Sequence, residues 1–236
     1  MIVLGFDTAT SSTAVGLRMA DGETLNLRDD PGERERPGHT TRLLAMAGEL
    51  LAEAGIGWST LDRIAVGVGP GRFTGLRVGI ATARGLAQSL DVELVGVSSL
   101  RALAETAAEE DTLVLAMIDA RRGEVFLATY ATTGELMSPR ALAPEDLGSI
   151  VTQANGRWLA VGDGAVRYRG HLETAGVVVP EDCSPLHEVS AEAICNLGVS
   201  APAVAAYEAI VPDYRRRPDA EVALAARVSR LAGAER

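Results

Sequence analysis

Apolar and polar residues alternate in short blocks through the first hundred positions. An apolar block over 2–6 runs into Asp7-Thr8-Ala9-Thr10-Ser11-Ser12, the pattern of a strand ending in a polar turn. A second strand is expected over 13–19, a hairpin turn at Asp21-Gly22, and a returning strand over 24–27. Residues 28–38 are polar, proline-bearing and mixed in charge, and predict an exposed loop. From His39 the period changes. Leu43, Leu44, Ala47, Leu50, Leu51 and Ala54 fall on one helical stripe, with Gly55 as its stop. A buried strand over 64–68, a glycine-rich loop, a helix over 74–90, a strand over 94–97 and a helix over 100–108 complete this half.

The pattern then restarts. An apolar strand over 113–118 ends in Asp119, as the first ended in Asp7, and a polar turn with Gly123 leads to a strand over 125–130. Thr133-Gly134-Glu135-Leu136 mirrors the earlier Asp-Gly hairpin. The offset is 112 residues both from Asp7 to Asp119 and from Gly22 to Gly134. The run Leu159-Ala160-Val161-Gly162-Asp163-Gly164 echoes Ala65-Val66-Gly67-Val68-Gly69 at a shorter offset. Agreement in order, type and spacing predicts a duplication. Each half is expected to form a three-stranded meander followed by alternating helices and strands, giving two α/β domains, 1–108 and 109–236, around a cleft. The last helix is expected to belong to the second domain or to pack back on the first. This plan resembles the duplicated actin-like ATPase fold (ASKHA, ribonuclease H-like) of actin-like ATPases and sugar kinases. In those proteins two strand-end aspartate turns hold the phosphates and metal of ATP.

Composition sharpens this. Hydrophobic residues make up 47% of the 236 and aromatics 4%, so the core rests on Ala, Leu and Val, as suits helices laid on sheets. The net charge of −10, from 32 acidic and 22 basic residues, argues against unaided nucleic-acid binding, because phosphate contacts supply most of that affinity. Cys183 and Cys195 form neither a disulfide framework nor a zinc pattern. The first residues lack the features of a signal peptide, and no apolar run approaches the ~18 residues of a membrane span. A soluble cytoplasmic protein is expected.

The candidate chemistry centres on Gly67-Val68-Gly69-Pro70-Gly71-Arg72-Phe73-Thr74-Gly75. A loop between a strand and a helix start favours anions, yet no Gly-Lys-Ser/Thr follows, and the third glycine of a dinucleotide fingerprint falls on Arg72. The other reading is a loop shaped by positive φ angles and close backbone approach. The next helix carries Gly75, Gly79, Ala83 and Ala87 on one face. That face implies either a tight helix–sheet contact within the domain or a helix–helix contact with another chain. His39, His171 and His187 have no paired-ligand spacing, and no nucleophile elbow is present. Asp7 and Asp119 are the candidate carboxylates of an ATPase. However, Ala9 stands where ATP-using relatives have a glycine, and Arg121 and Arg122 stand where the second turn would have glycines.

The segments Asp7-Thr8-Ala9-Thr10, His39 ahead of Leu43-Leu44, Gly69 to Gly79, Asp119-Ala120-Arg121-Arg122-Gly123-Glu124-Val125-Phe126 and Pro212-Asp213-Tyr214-Arg215-Arg216 together resemble the bacterial TsaB (YeaZ) family, over nearly the whole chain. The resemblance implies a non-catalytic scaffold subunit. It would work with a TsaD-type catalytic paralog and a TsaE-type ATPase to add threonylcarbamoyl to the adenosine beside the anticodon of tRNAs reading codons that begin with A. The catalytic paralog holds a metal with histidines, two of them spaced His-x-x-x-His. Here Ser99 and Leu103 stand at those places, and His39 alone matches a ligand position.

The resemblance also implies a helical partner interface formed by His39, Leu43, Leu44, Ala47, Leu50, Leu51, Arg72, Gly75, Leu76, Gly79, Ile80 and Ala83. The same surface would pair two copies when the paralog is absent. Contact with tRNA would be indirect, and no cofactor, metal or membrane is expected. A residual nucleotide or anion site would use Asp7, Thr10, Gly69, Gly71, Asp119 and Arg121. The alternatives are an active ATPase or metallopeptidase of the glycoprotease superfamily, and a tRNA-binding module using Arg215-Arg216-Arg217.

Overall fold

The computed structural model describes residues 1–32, 35–151, 156–204 and 207–215. Strands β1 (Val3–Asp7), β2 (Thr13–Arg18) and β3 (Thr24–Asp29) form the expected meander. Helix α1 (His39–Glu53) leads to β4 (Arg63–Gly69), and helix α2 (Phe73–Leu90) to β5 (Glu93–Ser98). The first sheet has the order β3-β2-β1-β4-β5, with β4 and β5 parallel to β1. The second half repeats it. After α3 (Ser99–Thr106), strands β6 (Thr112–Arg121), β7 (Glu124–Ala131) and β8 (Gly134–Leu142) form a second meander. Following the short α4 (Leu147–Val151), β9 (Arg157–Val161) adds parallel to β6, giving β8-β7-β6-β9. Shifted by the 112-residue offset, β1, β2 and β3 fall within β6, β7 and β8.

The sequence predicts strand positions well because alternating apolar runs bounded by Asp-Gly turns are local signals. It misses the short helices α5 (Asp163–Arg167) and α6 (Arg169–Thr174) and the longer α7 (Ala191–Ser200). Arg216 and Arg217 lie outside the described residues.

The elements stack in five layers. Helices α1 and α2 cover the outer face of the first sheet around Leu4, Phe6, Leu50 and Ile64. Helices α3 and α7 lie between the two sheets, where Val95, Leu100, Leu103, Ile118 and Ile194 form a shared core. Helices α4 to α6 cover the far side of the second sheet around Leu115, Leu127 and Leu172. Ser98 and Ser190 start the two inner helices by accepting backbone N–H bonds from Arg101 and Ala193.

One buried cation ties α7 in place. Arg63 of β4 donates through Nη1 to the carbonyls of Gly198, Val199 and Ala201, at 2.7, 3.0 and 3.0 Å, and pairs with Glu93. Those carbonyls are the unpaired ends of α7, where positive charge is favoured.

Helices α1 and α2 require a correction to the expected interface. Leu43, Ala47, Leu50, Leu51, Leu76, Ile80 and Ala83 are buried in the core, and Gly75, Gly79 and His39 are buried with them. The small face of α2 points inward. A Cβ at Gly75 would collide with the Thr8 carbonyl, and one at Gly79 with the Thr8 hydroxyl. That hydroxyl donates to the Gly75 carbonyl at 2.8 Å, so the glycines exist to let β1 and its turn press against the helix. Of the expected interface, only Leu44 stands clearly outside, at 48% exposure.

Candidate functional site

A cleft between the halves has a volume of about 820 Å³. On one side it meets Gly71, Arg72 and Phe73, where β4 passes into α2. On the other it meets Asp119, Arg121 and Arg122, where β6 turns into β7.

The first aspartate turn is sealed. Asp7 accepts the Ala9 N–H on Oδ1 at 2.7 Å and the Ser99 hydroxyl on Oδ2 at 2.5 Å. Its side chain is buried, and burial raises its carboxyl pKa despite these hydrogen bonds. Gly67 on β4 lies so near that an added Cβ would fall within the carboxylate. The Ala9 methyl and carbonyl in turn fill the space above Gly71, and the Ala9 carbonyl accepts the Arg72 N–H at 2.7 Å. Gly69 is buried at φ 98° against Leu76, and the Thr10 hydroxyl accepts the Ser12 N–H. The expected anion set therefore divides. Asp7, Thr10 and Gly69 shape the turn, while Gly71, Asp119 and Arg121 line the cleft.

The second turn is open and carries arginine. Arg121 and Arg122 both take left-handed backbone angles, φ 64° and 54°, which glycine adopts without steric cost. Asp119 accepts the Arg121 N–H at 2.9 Å and pairs with the guanidiniums of Arg121 and Arg167, each at 3.4 Å. Its own N–H donates to Asp163, whose burial raises that carboxyl's pKa. Arg72 is half-buried on the opposite wall, where burial and the neighbouring Arg121 lower its pKa.

His39 does not present a ligand. Its Nδ1 lies 2.8 Å from the Thr13 hydroxyl, and a further hydrogen bond reaches the Thr10 backbone. Burial and Arg72 lower its pKa, so it remains neutral over a wider pH range. Ser99 is committed to Asp7, and Leu103 is fully buried.

Sequence reasoning missed the pairing of Phe73 with Tyr214. Their rings stack at 5.2 Å between centroids, with the Arg77 guanidinium 3.9 Å from the Phe73 centroid and its Nε donating to the Tyr214 hydroxyl. The Asp213 N–H bonds to the Val68 carbonyl, which holds the late Pro212-Asp213-Tyr214 segment beside the glycine loop. Both aromatics belong to the motifs noted above, in a chain with few aromatics. That was the available signal.

A two-sheet duplicated α/β fold, with an aspartate turn at the end of each first strand, defines an actin-like ATPase architecture. A hexokinase of the ROK group from Thermus thermophilus shares that fold at a TM-score of 0.50 and 14% identity, over 85% of this chain and 99% of the kinase. The family model described as TsaD, tRNA N6-adenosine threonylcarbamoyltransferase, matches residues 33–151. The Escherichia coli tRNA threonylcarbamoyladenosine biosynthesis protein TsaB is 38% identical over 172 residues, covering 70% of this chain and 72% of that protein. The structure of YeaZ from Pseudomonas aeruginosa superposes with a TM-score of 0.72 at 31% identity, over 90% of this chain and all of that one. This chain belongs to the TsaB (YeaZ) family.

Proposed function

We propose that this chain is a non-catalytic pairing subunit in the synthesis of threonylcarbamoyladenosine in tRNAs that read codons beginning with A. It pairs with a TsaD-type catalytic paralog and works with a TsaE-type ATPase, and tRNA reaches it only through that assembly. The observation that carries this reading is the outward face of α1 and α2. Thr41, Leu44, Ala45, Gly48 and Ala52 share one face of α1; Thr74, Val78, Ala81, Thr82 and Gly85 share one face of α2. These side chains are uncharged, and all but Leu44 and Val78 are small. Gly48 and Gly85 have open space where a Cβ would sit, so a partner's helices can approach both backbones closely. The expected helices are kept, but the surface is rotated away from the residues first named. When the paralog is absent, the same face pairs two copies.

The sealed Asp7 supports a non-catalytic reading, because both its oxygens are occupied by protein donors. The test is co-elution with the organism's own TsaD-type paralog, alongside mass spectrometry of the modified nucleoside in a deletion strain. Gly85→Glu and Leu44→Arg should abolish co-elution and restore less than about a tenth of the modified nucleoside, with thermal melts unchanged. Normal co-elution of both variants would remove this interface. Gly79→Glu is unsuitable, because its side chain would be driven into Thr8 and unfold the chain. Hydrolysis of ATP by the isolated chain, lost on Asp119→Asn, would overturn the non-catalytic role.

A further inference from the structure

We infer that the cleft between the two halves is an oxyanion site, taking a compact diphosphate group between Arg72 on one wall and Arg121 on the other. This does not depend on the pairing proposed above: Thr74 and Val78 belong to both the pairing face and the cleft lining, but the two proposals are read by different variants and different measurements.

The first observation is charge. Arg36, Arg72, Arg121, Arg122 and Arg215 line a cleft that holds two carboxylates, Asp119 and Asp213. The chain as a whole carries a net charge of −10, so a cleft lined by five arginines and two carboxylates runs against the overall balance. A cleft lined by one sign of charge focuses its field and gathers counter-ions.

The second observation is how the cations are partnered. Arg215 pairs with Asp213 at 2.6 Å, and Asp119 serves Arg121 and Arg167 at the longer distance of 3.4 Å. Arg72 makes no side-chain hydrogen bond or ion pair among the described residues. Burial and the neighbouring Arg121 disfavour the Arg72 charge, Asp163 and Asp119 offset this in part through space, and an anion between the two guanidiniums would extend that compensation. Two planar forks suit the oxygens of a diphosphate.

The third observation separates this site from the phosphate cradle of an actin-like kinase. The floor beneath is closed by Ala9 over Gly71 and by Ser99 on Asp7. The anion therefore sits higher, at the rim, held by side chains. Asp7 is unavailable to carry a bridging divalent metal, so the arginines supply the whole counter-charge. The Phe73 ring is already engaged by Tyr214 and Arg77, which favours recognition by charge over stacking of a base. The diphosphate could arrive as inorganic pyrophosphate or as part of a nucleoside diphosphate.

The test is calorimetric titration of the full chain with sodium pyrophosphate and, separately, ADP, both in EDTA. Pyrophosphate should bind one per chain and more weakly as salt is raised, and ADP should match it within about threefold. Arg72→Ala and Arg121→Ala should each weaken binding by about tenfold or more, and Arg72→Lys by less, with thermal melts close to the parent's. The inference is overturned by absence of binding at millimolar pyrophosphate, by equal affinity in the alanine variants, or by binding only when magnesium is present. ADP binding without pyrophosphate binding would equally overturn it, because a base would then be the recognised group.

Discussion

At the end of β1, Asp7 lies under Ser99 and the Ala9 amide, away from solvent. At the equivalent place 112 residues on, Asp119 faces the cleft and is held by Arg121 and Arg167. Both acids close the first strand of a meander, and both accept a backbone N–H from two residues ahead. They differ in what stands above them. In the first turn Ala9 and a hydroxyl from α3 exclude water. In the second, two arginines in glycine-type backbone angles bring positive charge to the rim. One fold position thus yields a structural acid in one half and a charged wall in the other. The strand does not choose between these outcomes; the residues of the turn and the helix that reaches it do.

The largest test of this contrast lies beside the acids. Gly67→Ala should destabilise the chain by about 3 kcal/mol, because the new methyl displaces the Asp7 carboxylate. Gly164→Ala, on α5 next to the Asp163 that holds the Asp119 N–H, meets the Val125 side chain and the backbone of Met117 and Ile118, and should cost about 1–2 kcal/mol. Urea melts of the two variants measure the gap, and equal losses would mean the two turns are packed alike.

A smaller effect concerns pH. Burial raises the Asp7 pKa in the folded chain, so the folded state holds that proton more tightly than the unfolded one. The stability this group contributes is fully present below the ordinary carboxylate range and is lost as pH rises through the folded-state value. Asp7→Asn escapes that loss. Its stability relative to the parent should therefore climb as pH rises above the ordinary carboxylate range, read from urea midpoints. A parent and variant that run parallel would place Asp7 as an ordinary ionised carboxylate.

The smallest effect is at the arginines. Arg122→Gly relieves a left-handed backbone and should change stability by less than about 1 kcal/mol in thermal melts. A loss well above that would assign the Arg122 side chain a packing role.

The contrast was partly legible in the sequence. The repeat, the aspartates, the substituted glycines and most strands lay in local patterns. Three features did not, each for a physical reason. The bond between Ser99 and Asp7 spans 92 residues, and no periodicity encodes it. Helix α2 has small residues on two faces, Gly75 and Gly79 inward, Ala81 and Gly85 outward, so spacing alone could not say which was covered. Arg36 and Arg215 reach the cleft from a polar loop and a late segment whose paths depend on tertiary packing. The family resemblance pointed to α1 and α2 for the proposed pairing surface, and the coordinates show which side of each helix is exposed.

The Arg63 clamp on α7 also bears on how the molecule is made. Arg63 lies on β4, but the carbonyls it holds belong to residues 198–201, more than half the chain later. During synthesis the first sheet emerges with its inner face bare and a cation on it that has nothing to cap. At about 5–20 residues per second, that state lasts on the order of ten seconds before α7 leaves the ribosome. The second half is therefore not an appendage to a finished first domain. Helix α7 is the keystone of the first sheet, and a nascent chain stopped before residue 191 would expose apolar surface to any chaperone within reach.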